Sequence, residues 1–401
     1  MRKHSTLVLI FVFILAAFTL SPEKTNATTH LVTVNSNFFN PATLNALVGD
    51  TVHFQWQSGF HTTTCDDAIL PGTSRPVGAD AWDAPMNSGA VDYYYVLSVA
   101  GTYVYGCQPH WPGMQGTINA GFGYKVWVGA NGGGDGTSWN DALNWFGGTA
   151  PVAADSVLLD NSQVGTTYVV NLPTGATNVT VRKLIIQPTA PSYIYLNLPS
   201  GNTNNPGLTV GDGASGTYDF ILYKNSIFTN SSGAAAGTGF AFSVASDSIQ
   251  LQDSALWVHN CLRGTSGITS RLSQASICNK GIWRFDVPTT NFYSITASGV
   301  SYGSLQFFGT ANGGGLQSRK YTRVGSSAIT VRGDFYLQEQ AYDSTAMTNS
   351  FNIWGNYTNY GKTVYASSST QTINFNGTAN QTIAGGDITG AILISRAVNI
   401  N

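Results

Sequence analysis

The chain has 401 residues, of which 42% are hydrophobic and only 9% are charged, and its net charge at pH 7 is −2. The low charge excludes a solvated disordered chain, and the near-neutral balance excludes a generally basic nucleic-acid-binding protein. Four cysteines are too few for a disulfide scaffold, and 45 glycines favour turns between short strands. We therefore expect an all-β protein of two or three domains.

The N-terminus has the pattern of a targeting segment. A short basic start, residues 1–4, precedes 14 almost wholly apolar residues, 7–20, whereas a spanning helix needs roughly 20. Small residues at 25–27 fit a cleavage site. We predict a signal peptide at 1–27, with an uncleaved anchor as the alternative. The mature chain would then have no transmembrane segment and would be periplasmic, secreted or attached to the cell surface.

Residues 28–121 have the pattern of a small β-sandwich. They contain six aspartates and one basic residue, Arg75, so their net charge is −5. Alternating and β-branched segments separated by turn residues predict strands near 31–34, 51–56, 92–96 and 103–105. About 90 residues of this kind favour a Greek-key sandwich.

Residues 122–401 are rich in glycine, serine, threonine and asparagine and contain approximate repeats. Segment 329–335 resembles 351–357, with glycines 22 residues apart, and 308–312 resembles 377–380. A period in the low twenties predicts a β-solenoid, resembling a parallel β-helix, with an ordinary β-sandwich as the alternative. Residues 138–145 resemble a short helix with a capping box, which we expect to cap the first coil. The chain ends inside repeat-like sequence, which indicates a truncated C-terminus or an end that stacks on another molecule.

A group of metal-ligating residues lies near the end of the first region. Cys107, His110 and Met114 fall within eight residues between two predicted strands, and His61 lies 46 residues upstream of Cys107. Two nitrogens, one strong sulfur ligand and one weak sulfur ligand form the donor set of a type 1 copper site. Zinc also accepts nitrogen and sulfur, but the methionine favours copper. We expect His110 near the surface and His61 in the sandwich, with asparagine or backbone groups orienting the ligands.

Residues 30–120 resemble a cupredoxin of the plastocyanin, pseudoazurin and amicyanin group. The segments that carry the resemblance are FFNP (38–41), VGDTV (48–52), HTTT (61–64), WDAP (82–85), GTYVYGCQPH (101–110) and GMQGTI (113–118). This resemblance covers about a quarter of the chain. It implies that one mononuclear copper is bound by His61, Cys107, His110 and Met114. The gap between His110 and Met114 lies between those of plastocyanin and amicyanin, so no redox potential is carried over.

The remaining cysteines and histidines predict no second metal centre. Cys65 fits a buried free thiol or a bridge to another thiol, and a disulfide to Cys107 would destroy the copper site. Cys261 and Cys278 could pair with each other. His259 lies beside Cys261 without the spacing of a known site. The six histidines are too few for the second copper centre of an oxidase or a nitrite reductase.

The sequence thus predicts an exported electron carrier without a catalytic site of its own. Its acidic first region would favour a redox partner protein with a basic docking patch. One alternative is a surface adhesion or structural protein with an accessory cupredoxin, and another is an extracellular copper buffer. The second region weakly resembles the repeats of large exported bacterial surface proteins, at 127–129, 138–140 and 375–383. That resemblance implies contact with a cell surface or a polysaccharide.

Overall fold

A computed structural model describes residues 27–213, 218–233, 236–272, 280–296, 298–309, 315–386 and 398–400. The chain forms two compact units that divide between Gly123 and Tyr124. The predicted signal peptide lies outside the described residues except for Ala27. Within the described ranges, no helix is long and apolar enough to cross a bilayer.

The first unit is built from short strands. They are β1 (Thr29–Asn35), β2 (Phe38–Asn40), β3 (Thr43–Leu47), β4 (Thr51–Trp56), β5 (His61–Cys65), β6 (Trp82–Met86), β7 (Asp92–Val96), β8 (Gly101–Gly106) and β9 (Gln115–Gly121). One sheet has the order β2-β1-β4-β7 and the other β3-β9-β8-β5-β6. A 3₁₀ turn, Gln108–His110, follows β8. The four predicted strands are confirmed within β1, β4, β7 and β8.

Alternation of side chains makes these two sheets a sandwich. In β1 and β4 the buried residues, Val32, Val34, Val52 and Phe54, alternate with less buried ones. Phe54 meets Tyr105 of the opposite sheet edge-to-face at 5.2 Å. Because residues i and i+2 of a strand share one face, this period of two builds a single core between the sheets.

The second unit consists of many short strands. Its first half contains β10 (Lys125–Val126), β11 (Ser156–Asp160), β12 (Tyr168–Asn171), β13 (Val179–Val181), β14 (Lys183–Gln187), β15 (Ile194–Leu198), β16 (Leu208–Val210), β17 (Phe220–Leu222), β18 (Ser226–Asn230), β19 (Phe240–Phe242), β20 (Ile249–Leu251) and β21 (Leu256–His259). A short helix, α1 (Ser266–Leu272), follows. Two 3₁₀ turns, Gly129–Gly132 and Ala142–Asn144, lie near its start.

The later strands continue the same pattern. They are β22 (Ile282–Phe285), β23 (Phe292–Thr296), β24 (Ser301–Tyr302), β25 (Ser304–Phe307), β26 (Arg319–Val324), β27 (Ile329–Val331), β28 (Phe335–Leu337), β29 (Ala341–Thr345), β30 (Phe351–Ile353), β31 (Tyr357–Asn359), β32 (Lys362–Tyr365), β33 (Ile373–Phe375), β34 (Ile383–Gly385) and β35 (Val398–Ile400). All of their sheet pairings are parallel.

Parallel stacking of successive coils makes the second unit a β-solenoid. One sheet runs β12-β15-β18-β21-β22-β25-β28-β31-β34, and shorter parallel sheets form the other faces. Equivalent inward positions stack, so Trp257 lies on Trp283 with centroids 4.8 Å apart. The prediction of an all-β chain, with a sandwich followed by a solenoid, is confirmed. Stacking requires each coil to bury a similar stripe, which is why the sequence repeats.

One of the two predicted repeats is confirmed. Ile329 pairs with Phe351, and Phe351 pairs with Ile373, so these coils do contain 22 residues. Residues 310–312 lie outside the described residues, so the likeness of 308–312 to 377–380 stays a prediction. Coils vary in length, because loops of different size leave the sheets without altering the register.

The segment 138–145 is not the α-helix that we predicted. Its helical part is the 3₁₀ turn, and the N-cap is Asp141, whose carboxylate accepts from Leu143 N. Trp139 and Trp145 are buried with centroids 4.8 Å apart, but Leu143 is exposed. The segment therefore contributes tryptophans to the core instead of one face of a helix.

Candidate metal centre

A closed loop presents three of the predicted ligands. Cys107 directly follows β8, and Met114 directly precedes β9. Backbone N–H groups close the loop: His110 donates to Cys107 O at 3.1 Å, Met114 to His110 O at 2.9 Å and Cys107 to Met114 O at 3.0 Å. Cys107 and Met114 are buried, and His110 is half-buried. The two β-strands thus hold both ends of the loop.

His61 reaches the same place from a different strand. It is the first residue of β5, which is paired with β6 and, through Thr64 and Gly106, with β8. Its Nδ1 lies 3.6 Å from Cys107 Sγ, and His110 Nδ1 lies 3.3 Å from the same sulfur. The ligand atoms of these three residues all lie within 4.8 Å of one another. The structure therefore brings together His61, Cys107 and His110, and keeps Met114 at the end of their loop.

These separations match the donor atoms of a metal site. An ion bonded to nitrogen and sulfur at about 2.0 and 2.3 Å, with a trigonal angle between them, would hold the two atoms about 3.7 Å apart. The measured distances of 3.3 and 3.6 Å are close to that value. Two imidazoles and one thiol are also the donor types that copper accepts. The residues present therefore fit a copper ion.

Thr62 orients the site, and no pattern in the sequence had predicted this role. Its backbone N–H donates to Cys107 Sγ at 3.4 Å, and its Oγ1 accepts from the Gln108 N–H at 2.9 Å. The Gln108 side chain and Thr64 Oγ1 both donate to Asp83 Oδ1 at 2.7 Å. Of the asparagine or backbone groups expected in this role, the Thr62 N–H is a backbone group. The HTTT segment (61–64) could have indicated this role, because Thr62 and Thr64 lie on the same face of their strand.

Burial sets the protonation of the two innermost donors. Burial and the nearby His110 lower the pKa of His61, so its imidazole is neutral at neutral pH. Burial raises the pKa of the Cys107 thiol, although N–H groups of Thr62 and His110 partly oppose this. A metal that binds the thiolate must therefore displace a proton.

The ligand loop packs against the end of β8 through one side chain. Trp111, Pro112 and Gly113 follow His110 in this loop. Pro112 and Gly113 are exposed, but Trp111 is half-buried. Its ring packs on Gly106, where an added Cβ would collide with the indole. Glycine at the end of β8 therefore makes room for the tryptophan of the ligand loop.

The other cysteines and histidines lie outside the group formed by His61, Cys107 and His110, or outside the described residues. Cys65 is free and buried, and burial raises its pKa to about 12. His53 Nε2 lies 2.6 Å from Asp92 Oδ1. His259 is buried, with its Nε2 2.9 Å from Tyr293 Oη, and burial lowers its pKa to about 4. Cys261 is a free, buried cysteine, so the structure does not show the pairing with Cys278, which is outside the described residues.

Comparisons with known proteins give likenesses to small copper proteins over a limited part of the chain. No family model and no curated protein matches the sequence. A pseudoazurin from Sinorhizobium is 29% identical, covers 23% of this chain and 74% of its own, and has a TM-score of 0.20. A reduced Cu(I) amicyanin variant is 27% identical, with 24% and 82% coverage and a TM-score of 0.19. A pseudoazurin from Hyphomicrobium denitrificans is 23% identical, with 23% and 76% coverage and a TM-score of 0.19.

Proposed function

We propose that this chain is an exported type 1 copper protein that carries electrons, and that its first unit is a cupredoxin. The observation that carries the proposal is the convergence of two imidazole nitrogens and one cysteine sulfur within 4.8 Å. The copper ligands would be His61, Cys107, His110 and Met114. We propose electron transfer to a partner protein and no catalytic reaction of its own.

Copper, when bound, would supply a one-electron couple between Cu(I) and Cu(II). The chain's own residues account for the rest of the role. The Thr62 N–H donates to the cysteine sulfur and stabilises its thiolate. The neutral His61 offers a lone pair, and the closed loop keeps the donors fixed whether or not charge changes at the site. Small rearrangement of the donors is what fast electron transfer requires.

The exposure of the ligands suggests where electrons would enter and leave. His61, Cys107 and Met114 are buried, whereas His110 is half-buried and is followed by the exposed Pro112. We propose that the edge of the His110 ring is the contact for a redox partner. A net charge of −5 over residues 28–121 favours a partner with a basic surface, and salt would weaken the association.

Copper loading of the full chain tests this function. The wild type should show an intense thiolate-to-copper band and a narrow copper hyperfine splitting in electron paramagnetic resonance. Cys107→Ser should abolish the band, whereas Cys65→Ser should keep it, because Cys65 is an equally buried thiol outside the ligand group. Met114→Leu should retain copper and raise the potential. A coloured Cys107→Ser protein would overturn the proposal, and an ordinary tetragonal copper signal would favour a copper buffer.

A second candidate function belongs to the solenoid, which we propose as a scaffold that contacts an acidic polysaccharide. Phe292, Lys320, Tyr342 and Lys362 are successive partners across four parallel strands. The two lysines lie 5.6 and 5.7 Å from the neighbouring ring centroids, and Phe292 is exposed. Aromatic faces and ammonium groups in one column suit the rings and carboxylates of a uronic-acid polymer.

Sedimentation with a polyuronate, and with a neutral glucan as control, tests this second function. Wild type should bind the polyuronate in low salt and not the glucan. Replacing Lys320 and Lys362 by Gln should abolish binding, whereas Lys280→Gln should not, since Lys280 lies outside the column. Equal loss in both variants would show only general attraction to charge, and would refute the column as the binding site.

A further inference from the structure

Three carboxylates meet at one corner of the solenoid, and neither of the proposed functions uses them. Asp212 and Asp219 lie on either side of the connection between β16 and β17, and Asp247 lies in the matching connection between β19 and β20. Since β16 pairs with β19 and β17 with β20, Asp212 and Asp219 lie one coil away from Asp247. One oxygen from each carboxylate lies within 4.8 Å of the others. Like charges at this separation repel unless something lies between them.

Asp219 has a buried oxygen that the protein does not satisfy. The residue is 1% exposed; its Oδ2 accepts from Ser248 N at 2.7 Å, while its Oδ1 has no hydrogen-bond partner among the described residues. Asp247 is fully buried, and its two oxygens accept from Gly213 N at 2.9 Å and Val244 N at 2.7 Å. An unpartnered buried carboxylate oxygen is costly, so the vacant lone pairs of Asp219 point to a missing cation.

The nearby Arg271 does not explain that oxygen. Arg271 of α1 donates to the backbone carbonyls of Val244, Ala245 and Asp247, not to a carboxylate. Lys183 lies beside Asp219 in the parallel register, because Leu184 pairs with Phe220. Lys183 and Arg271 carry two positive charges and the three aspartates carry three negative charges, so the net charge of this corner is negative. Asp212 is exposed, so the corner is open to ions from solvent.

We propose that Asp212, Asp219 and Asp247 form a divalent-cation site, with Asp219 Oδ1 as its buried ligand and calcium as the preferred ion. Carboxylate oxygens are hard donors, which suit calcium and magnesium. Calcium tolerates irregular arrangements and water ligands, whereas magnesium requires a near-ideal octahedron. The ion would join two successive coils, because Asp219 and Asp247 belong to different coils.

Thermal unfolding of the full chain with and without calcium tests the site. We expect the wild-type melting temperature to rise with calcium at pH 7.5. Asp219→Asn should remove the response, whereas Asp253→Asn, at an exposed aspartate outside the cluster, should keep it. Calcium should leave any copper band unchanged, so this result is independent of the proposed electron transfer.

A direct binding measurement covers the case in which Asp219→Asn fails to fold. Terbium luminescence, excited through aromatic side chains and displaced by calcium, should report binding to the wild type. Asp212→Asn changes an exposed residue and should weaken calcium binding by at least about tenfold. No calcium response in the wild type would overturn the site, and so would an unchanged affinity in Asp212→Asn. Stabilisation by acid alone, equal with and without calcium, would instead show three carboxyl groups sharing protons.

Discussion

The hydroxyl of Thr62 offers the sharpest test of how the ligand loop is held. Thr62→Val removes Oγ1, which accepts from the Gln108 N–H at 2.9 Å and lies 2.8 Å from Thr64 Oγ1. Valine keeps the shape of the side chain, so no cavity forms and the strand propensity is retained. The backbone N–H of Thr62, which donates to Cys107 Sγ, is unaffected. The variant therefore removes the hydrogen bond between the Thr62 hydroxyl and the loop but keeps the hydrogen bond from the Thr62 N–H to the sulfur.

The magnitude follows from the lost hydrogen bond to the Gln108 N–H, because Thr64 Oγ1 keeps its hydrogen bond to Asp83 Oδ1. A typical intramolecular bond contributes about 0.5–1.5 kcal/mol, and Gln108 is exposed enough for water to replace part of it. We expect local opening of the loop to become easier by about 1 kcal/mol, which corresponds to roughly fivefold faster exchange of the Gln108 amide. The thiolate-to-copper band of the loaded protein should not move.

Hydrogen exchange of the metal-free full chain, followed by mass spectrometry on peptides spanning 107–114, measures this effect. Thr29→Val is the matched control, because Thr29 is an exposed threonine on β1, which belongs to the other sheet. The reasoning fails if Thr62→Val leaves exchange in 107–114 unchanged, or if the control accelerates it equally. A shifted copper band would show that the hydroxyl also positions the sulfur.

Three further predictions concern stability. Burial raises the pKa of Asp50, but N–H donors and His30 outweigh burial, so the net pKa is lowered. The urea midpoint of the first unit should therefore decrease when the pH falls below about 4. Asp50→Asn should make the midpoint less dependent on pH. Arg323→Met should destabilise the solenoid by about 3–5 kcal/mol in urea, because it leaves Asp343 charged and buried, and replacing both by apolar residues should recover most of the loss. Gly106→Ala should displace the indole of the ligand loop, cost about 1–3 kcal/mol and shift the copper spectrum, and an unchanged spectrum would contradict the packing.

The pH prediction for Asp50 depends on the sign of its shift. Its carboxylate accepts from Thr28 N at 2.8 Å and Leu47 N at 2.9 Å, and lies 2.7 Å from His30 Nε2. A folded-state pKa below the unfolded value means that the stabilisation is fully present above the unfolded value. It is lost as pH falls through the folded value.

Three of the four proposed ligands could be found in the sequence because their signal is local. Cys107, His110 and Met114 lie within eight residues, and turn residues mark the strands on both sides. The alternation of apolar and polar residues likewise predicted β4, because a strand with one buried face has an apolar residue at every second position. The 22-residue spacing of Gly333 and Gly355 predicted coils of the solenoid for the same reason, since each coil buries the same stripe.

What the sequence could not determine depends on residues that meet only in three dimensions. Thr62 reaches Cys107 through the pairing of β5 with β8, and Asp219 reaches Asp247 through the stacking of two coils. Neither pair has a characteristic spacing, because coil and loop lengths vary while the register is kept. The sequence by itself therefore determined the strands and the donor types of the candidate copper site. Only the tertiary structure decided which polar groups surround those donors and where buried carboxylates converge, because burial and separation are properties of the folded chain.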